Sequence, residues 1–576
     1  MDKKALRIDI SITIFYILLL LSISLLMMLK RNTPYYSDEI GYWAAGAWID
    51  GIDWSPIMSY SPYYGWGYGI LLAPFLLISN SILRFRLALA LNSLMLVGSF
   101  FILYRILLAI SKANSSHDRR NCIIVAGTVT CYTYNLAFSN TTMCETFLMF
   151  LFLLQVLAMS YFLRKPSFLM LLLVAIIMLF QLATHLRTLV ICLALFCSLT
   201  VLTITKRINS RYLIVWVLLC AGVVFLTFHV KDIVILQQYT HENTEIIRDT
   251  GNDSVMSRVS ILRYMFYKNF ITHFGSSLVG KTLYIVCASF SMIYWGIKKI
   301  LSDMISAKAR RAENSEETND QCRIIGIELF VLLSFILSFG ESVVTLQYGS
   351  RYDQVFYGRY FDNVSTIIIA LGILDTIYRK KIREIVFIAS GVLLSAKYLY
   401  VLLDPKLYHG NLLLESAWPS GFFHEGENDP RFIYTLLMSI ASLGIVFLIF
   451  SLKNFRHRCL LMAVLWSLSA INGTERCIEN ELDRMEATIE AVEAVRENNE
   501  LYTIVDPRNI DVFVDALWLQ FHAGKKTIQV VEEDDIQTLD SYVVLLVSKK
   551  YKNCKAIAQR MDIVQENNEF YILTNN

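Results

Sequence analysis

The chain has 576 residues, 55% of them hydrophobic and only 18% charged, with a formal net charge of +3 and a mean hydropathy of +0.48. Soluble domains are about 25% charged and just under half apolar, so this composition excludes a water-soluble protein and points to one built for lipid. The small net charge carries no mark of a nucleic-acid partner.

Apolar stretches long enough for a bilayer core of about 30 Å, roughly 20 residues each, recur along most of the length. The first, 10–28, follows "MDKKALRID" and lacks a small-residue cleavage site, so it reads as a retained span rather than a signal peptide. Hydropathy then places spans near 85–104, 122–139, 143–162, 168–184, 188–205, 212–229, 281–297, 324–341, 361–378, 384–402, 432–450 and 457–473, thirteen in all. With the N-terminus inside, the cytoplasmic loops contain "RILLAISKANSSHDRR", "RKPS", "KRINSR", "KKILSDMISAKARR", "RKKIR" and "KNFRHR". Every one is basic, as the positive-inside rule requires. The outer side then receives loops 29–84, 230–280, 342–360 and 403–431 and the polar tail, and with them most of the unusual polar residues.

Within the first outer loop, "DEIGYWAAGAWID" has helical spacing with Asp38 and Glu39 at its start, where amide protons and the helix dipole favour carboxylates. "GYGILLAPFLLIS" (67–79) is apolar but too short to span, and reads as a re-entrant or interfacial element. Glu145, in "SNTTMCETF", sits at the outer start of the fourth span, and Arg187, in "ATHLRTL", lies between the fifth and sixth beside His185. In the second outer loop an acidic stretch, "HENTEIIRDTGNDS", precedes an amphipathic one, "RVSILRYMFYKNFITHF". The densest polar cluster is "QYGSRYDQVFYGRYFDN" (347–363), where Arg351 and Arg359 stand among Tyr348, Tyr352, Tyr357 and Tyr360. Guanidinium forks with phenol donors suit an oxyanion such as phosphate. An interfacial aromatic belt with anchoring arginines would look similar.

The tail changes character. "NELDRMEATIEAVEAVREN" reads as a charged amphipathic helix. "LYTIVD", "KTIQVV", "SYVVLLVS" and "FYILTN" read as short strands around one further helical stretch, "DVFVDALWLQF". The expected division is a membrane domain, 1–473, and a small extracytoplasmic α/β domain, 474–576. Of eleven cysteines most lie in apolar runs; Cys477 and Cys554 fall in the tail and would be able to pair on an oxidising side.

This arrangement resembles the GT-C glycosyltransferases, in particular the bacterial protein-mannosyltransferase-like (family 39) branch that includes lipid A aminoarabinose transferase. The resemblance runs through "SDEIGYWAAGAWIDGIDW", "SPYYGWGYGILLAPFLL", "SNTTMCETFLMFLFLL" and "YGRYFDNVSTIIIALG". It implies a polytopic α-helical membrane protein with about thirteen transmembrane helices and juxtamembrane helices. It also implies an enzyme that moves a sugar from a polyprenyl-phosphate donor to an acceptor on the outer membrane face. The acceptor would be a glycan, a lipid or a protein. Asp38 would be the base, with Glu39 and Glu145 orienting the acceptor or the base. In this family a lysine-proline pair often stands in the second juxtamembrane element; here the position reads Ser61-Pro62, with no lysine between Ser59 and Ser79. Donor phosphate would then fall to Arg187, Arg351 and Arg359 with Tyr357 and Tyr360. No cofactor is required; carboxylates on two loops are able to share a divalent metal, though no spacing demands one. The rival readings are a transporter or flippase of a lipid-linked sugar and a non-catalytic membrane scaffold.

Overall fold

A computed structural model describes residues 3–111, 115–240, 270–312, 319–346, 353–377, 382–403, 432–479, 481–498, 500–540 and 543–574. The first long helix is α1 (Lys3–Leu29), followed by the short helices α2 (Ser37–Ile49) and α3 (Trp66–Leu76) and the long α4 (Ser81–Ser111). The chain continues through α5 (Ser116–Thr130), α6 (Thr133–Ser139), α7 (Glu145–Arg164), α8 (Phe168–Thr184), α9 (Leu189–Ile204) and α10 (Ser210–Gln238). After the undescribed 241–269 come α11 (Ser276–Ala288), α12 (Met292–Ala312), α13 (Asn319–Thr345), α14 (Asp362–Asp375), α15 (Ile382–Leu402), α16 (Met438–Ser451) and α17 (Phe455–Glu479).

Each of the thirteen apolar runs is helical, but they are not thirteen equivalent spans. Among the described residues seven helices are long and apolar enough to cross a bilayer by themselves, and two bent pairs raise this to nine. The pair α5–α6 bends by 58° and the α11–α12 pair by 97°. At the second bend Phe290 and Ser291 take positive φ, a left-handed step that non-glycine residues seldom make. Hydropathy averages over such breaks, which is why 122–139 and 281–297 read as straight spans. The second outer loop's acidic and amphipathic stretches, up to residue 269, and the loop 404–431 lie outside the described residues.

Polar contacts between neighbouring helices mark the two ends of the bundle. At one end Asp9 meets Arg120 at 3.0 Å, the Tyr212 hydroxyl donates to Pro166 O, Arg323 donates to Ala109 O, Lys298 meets Glu384 and Arg458 donates to Thr376 O. These contacts gather the basic loops on a single rim. The opposite rim holds α2, α3, the start of α7 and the C-terminal domain. Helices α2 and α3 cross closely because small residues meet there: Ala45 and Gly46 against Gly69 and Ala73.

The C-terminal domain begins with α18 (Leu482–Ala494) and places α19 (Ile510–Ala523) against a five-stranded sheet. Strands β1 (Leu501–Thr503), β2 (Ile528–Val530), β3 (Val544–Ser548), β4 (Asp562–Glu566) and β5 (Phe570–Thr574) lie in the order β2-β1-β3-β5-β4. The first three pair in parallel, and β5 is antiparallel to both β3 and β4. The expected strands and helix are all present. Strand β4 went unread because every one of its residues is exposed, leaving no buried face for alternation to reveal. Cys554 is a free buried thiol; the side chain of Cys477 lies outside the described residues.

The domain docks on the membrane portion through one aromatic plug. Phe521 of α19 packs edge-on against Trp43 of α2 and Phe85 of α4, and the Arg84 guanidinium lies 4.8 Å over its ring. Around it Trp54 Nε1 donates to Gly524 O, Thr527 donates to Asp53 O, and His522 bridges Thr33 (2.9 Å) and Ser81 (2.7 Å).

Candidate functional site

The two adjacent acids of α2 point to different places. Glu39 is buried inside the protein: one oxygen accepts from the backbone amides of Tyr35 and Tyr36, at 2.8 and 3.1 Å, and from Arg31 at 3.2 Å. Its other oxygen accepts from the amide and hydroxyl of Thr142, at 2.6 and 2.9 Å. A carboxylate receiving five hydrogen bonds is a structural anchor. It caps the start of α2 and ties that helix to the segment leading into α7. Asp38 turns the other way, and its side chain is 33% exposed. Oδ1 accepts from the Tyr64 hydroxyl at 2.9 Å, and Oδ2 pairs with Arg359 at 2.8 Å.

Tyr64 reaches Asp38 because nothing stands between them. A β-carbon at Gly41, one turn along α2 from Asp38, would overlap the Tyr64 ring.

Arg359 is the hub. Its Nε donates to Glu145 and its Nη1 reaches both Asp38 and the Tyr357 hydroxyl. Glu145, wholly buried at the start of α7, also accepts from Arg187 at 2.9 Å. Arg187 in turn lies 5.0 Å over the ring of Tyr360, which packs edge-on against Tyr357. Four sequence elements far apart in the chain thus meet in one cluster: Asp38, Glu145, Arg187 and Arg359 with Tyr357 and Tyr360. Arg351 lies outside the described residues.

The segment carrying Arg359 is held by its backbone. Tyr134 donates to Arg359 O, Ser342 to Tyr357 O, and the buried Lys281 to both Leu346 O and Gln354 O. Asp362 closes it from the other side, accepting from Tyr132 (3.1 Å) and Tyr284 (2.6 Å).

Two acids and two arginines balance in charge, yet hydrogen bonding is incomplete. Glu145 Oε2 and Arg187 Nε and Nη1 are buried with no partner among the described residues. Buried polar atoms of this kind cost free energy unless a bound group satisfies them. Chemically, the cluster offers a part-exposed carboxylate beside guanidinium donors, which suits proton acceptance next to an anionic leaving group. Among the described residues no three His, Cys, Asp or Glu side chains converge as a metal centre.

Several participants escaped the sequence reading. Tyr64 and Gly41 carry no periodic signal, since the partner of each is more than twenty residues away. Lys231, near the end of α10, sits with Nζ 5.2 Å from the centre of the Tyr63 ring. A cation supplied by a different helix therefore stands over the ring of Tyr63, the residue that follows Ser61-Pro62 in sequence.

No protein-family model matches the chain, and no curated protein matches it. Solved structures do. ArnT from Cupriavidus metallidurans bound to undecaprenyl phosphate superposes with a TM-score of 0.51 at 11% identity, covering 98% of each chain. The apo form of the same protein gives 0.52 at 12% identity, covering 98% of this chain and 97% of that one. The chain has the GT-C fold. In a GT-C fold the rim bearing α2, α3 and the extra domain is the part this chain equips with its acid–arginine cluster. The fold also agrees with a multi-pass membrane protein.

Proposed function

We propose that the protein is a glycosyltransferase that moves a sugar from a polyprenyl-phosphate donor to an acceptor hydroxyl at the outer face of the cell membrane, with inversion. The observation that carries this reading is the pairing of Asp38, the one part-exposed acid of the cluster, with Arg359 in a protein of GT-C fold. The acceptor oxygen attacks the anomeric carbon as the bond to the phosphate oxygen breaks; the acceptor proton passes to Asp38, and the electron pair of the broken bond stays on the phosphate. A phosphate is a fair leaving group, so the main demand is for cations near the charge that develops on it. Arg187 has unused donors for this role, while Arg359 both binds and holds the base, with Tyr357 and Tyr360 as its aromatic frame. Lys231 and Arg351 complete the candidate donors. Glu145 positions the two arginines, and Glu39 positions Asp38 through the α2 start. The basic rim faces the cytoplasm on the positive-inside rule, which leaves the cluster and the C-terminal domain outside. Undecaprenyl phosphate in the ArnT structure is consistent with a polyprenyl donor here.

The test is transfer of radiolabelled sugar from a polyprenyl-phosphate donor by purified protein in liposomes, alongside an assay of lipid movement between leaflets. Transfer is expected. Lipid movement with no transfer to envelope glycan, lipid or protein acceptors would favour a flippase instead.

A further inference from the structure

A second polar site lies between the C-terminal domain and the membrane portion. A cavity of about 260 Å³ opens there, walled on one side by the end of α3 and the chain just after it, and on the other by α18, α19 and the turn following α19. Four cations line it, Arg84, Arg496, Lys525 and Lys526, against one acid, Glu493. Glu493 is already paired with Arg496 at 3.0 Å.

Arg84 is the decisive residue. It is 1% exposed, yet no carboxylate reaches it among the described residues. Its guanidinium lies over the Phe521 ring and donates to two carbonyls, Phe521 O and, at 3.5 Å, Ile78 O, while its Nε has no partner among the described residues. A guanidinium carries five N–H donors; here two carbonyls take part of that capacity, Nε–H has no acceptor, and no carboxylate among the described residues matches the charge. Burying an uncompensated charge is strongly unfavourable unless a counterion joins it. The chain crowds close to this group: Gly524 takes a positive φ of 66°, and a β-carbon there would run into Arg84 Nη1. Lys526 is tied to Arg496 O and Asn498 O and so fixes the rim of the cavity.

We propose that this cavity binds a phosphate-type anion, held by Arg84 at its floor and by Arg496 and Lys525 at its rim. The site is separate from the Asp38 cluster and does not depend on the transfer reading. The shared ligand chemistry has two sources, a phospholipid headgroup and a soluble phosphate group such as one borne by an acceptor glycan. The position beside the short apolar α3 makes either accessible.

The experiment uses the full chain and two probes. Inorganic phosphate is titrated into detergent-solubilised protein, with sodium chloride of matched ionic strength as control, and thermal stability is read. In parallel, native mass spectrometry follows retention of phosphatidylglycerol against phosphatidylcholine after release from nanodiscs containing both. Saturable stabilisation by phosphate, selective retention of phosphatidylglycerol, or both, is expected. The rim variant R496Q/K525Q should weaken the effect at least tenfold while limited proteolysis shows the domain still docked, and R84Q should abolish it. Phosphate alone would assign a soluble ligand, and phosphatidylglycerol alone a lipid headgroup. Failure of both probes, an adventitious ion only (phosphate no better than chloride), or binding unaltered in the rim variant would overturn the proposal.

Discussion

Asp38 and Glu39 are neighbours in sequence and opposites in environment, and substitutions should separate them. E39Q leaves Arg31 buried without its counterion and should destabilise the protein by about 3 kcal/mol, seen as a lower melting temperature before any assay of activity. D38N removes a charge from a part-exposed position and leaves Arg359 paired with Glu145, so it should lower the melting temperature less than E39Q does. Gly41→Ala tests the geometry more finely. The new methyl displaces the Tyr64 ring and with it the hydrogen bond to Asp38, so turnover should fall about tenfold or more, with a loss of stability of about 1–3 kcal/mol from overpacking; Tyr64→Phe should reproduce part of the fall in turnover. Unchanged turnover in both would mean that Tyr64 does not position the base. The acids themselves were legible, since a carboxylate pair at a helix start beside a span is a local pattern. That Glu39 is fully engaged and Asp38 is not could not be read, because it depends on Thr142, Arg31 and Arg359, brought in by other helices.

At the level of elements, the docking of α19 turns on one imidazole. His522 is buried between Thr33 and Ser81, and burial, aided by the nearby Arg84 charge, pushes its pKa down from 6.5 to about 3. A histidine held neutral in the docked state must gain a proton once released. Docking is therefore at full strength above about pH 6.5 and weakens as pH falls from there toward 3, by about 2 kcal/mol at pH 5. Proteolytic cutting between α17 and β1 should accelerate at pH 5 relative to pH 7.5, and H522N should flatten that dependence. Equal cutting rates at both pH values in the parent protein would remove His522 from the interface. Sequence periodicity found α19 correctly, but it gave no sign that Phe521 and His522 face the membrane portion rather than the sheet.

At the scale of the whole molecule, span counting passed over the breaks in the bundle, while charge patterning assigned the basic loops to one side. The described parts of those loops meet in contacts such as Asp9–Arg120 and Tyr212–Pro166. The helices between them include two sharp bends that a hydropathy window cannot detect. If the basic rim is cytoplasmic, a membrane-impermeant maleimide added outside intact cells should label Asp535→Cys above the background of native thiols and spare Lys165→Cys. The reverse pattern would invert the topology and with it the outer location of the site. The resemblance in the first two hundred residues anticipated the fold across 98% of the chain, while the cation beside Tyr63 was invisible because Lys231 lies far along the sequence. The account rests above all on Asp38 as the group that accepts the acceptor's proton. Sugar transfer from a polyprenyl-phosphate donor should therefore be compared between the parent protein and D38N in the same liposomes, at equal amounts of folded protein. A fall of about 10²–10⁴-fold in turnover with donor binding retained is the predicted result; transfer by D38N within a few-fold of the parent would contradict it.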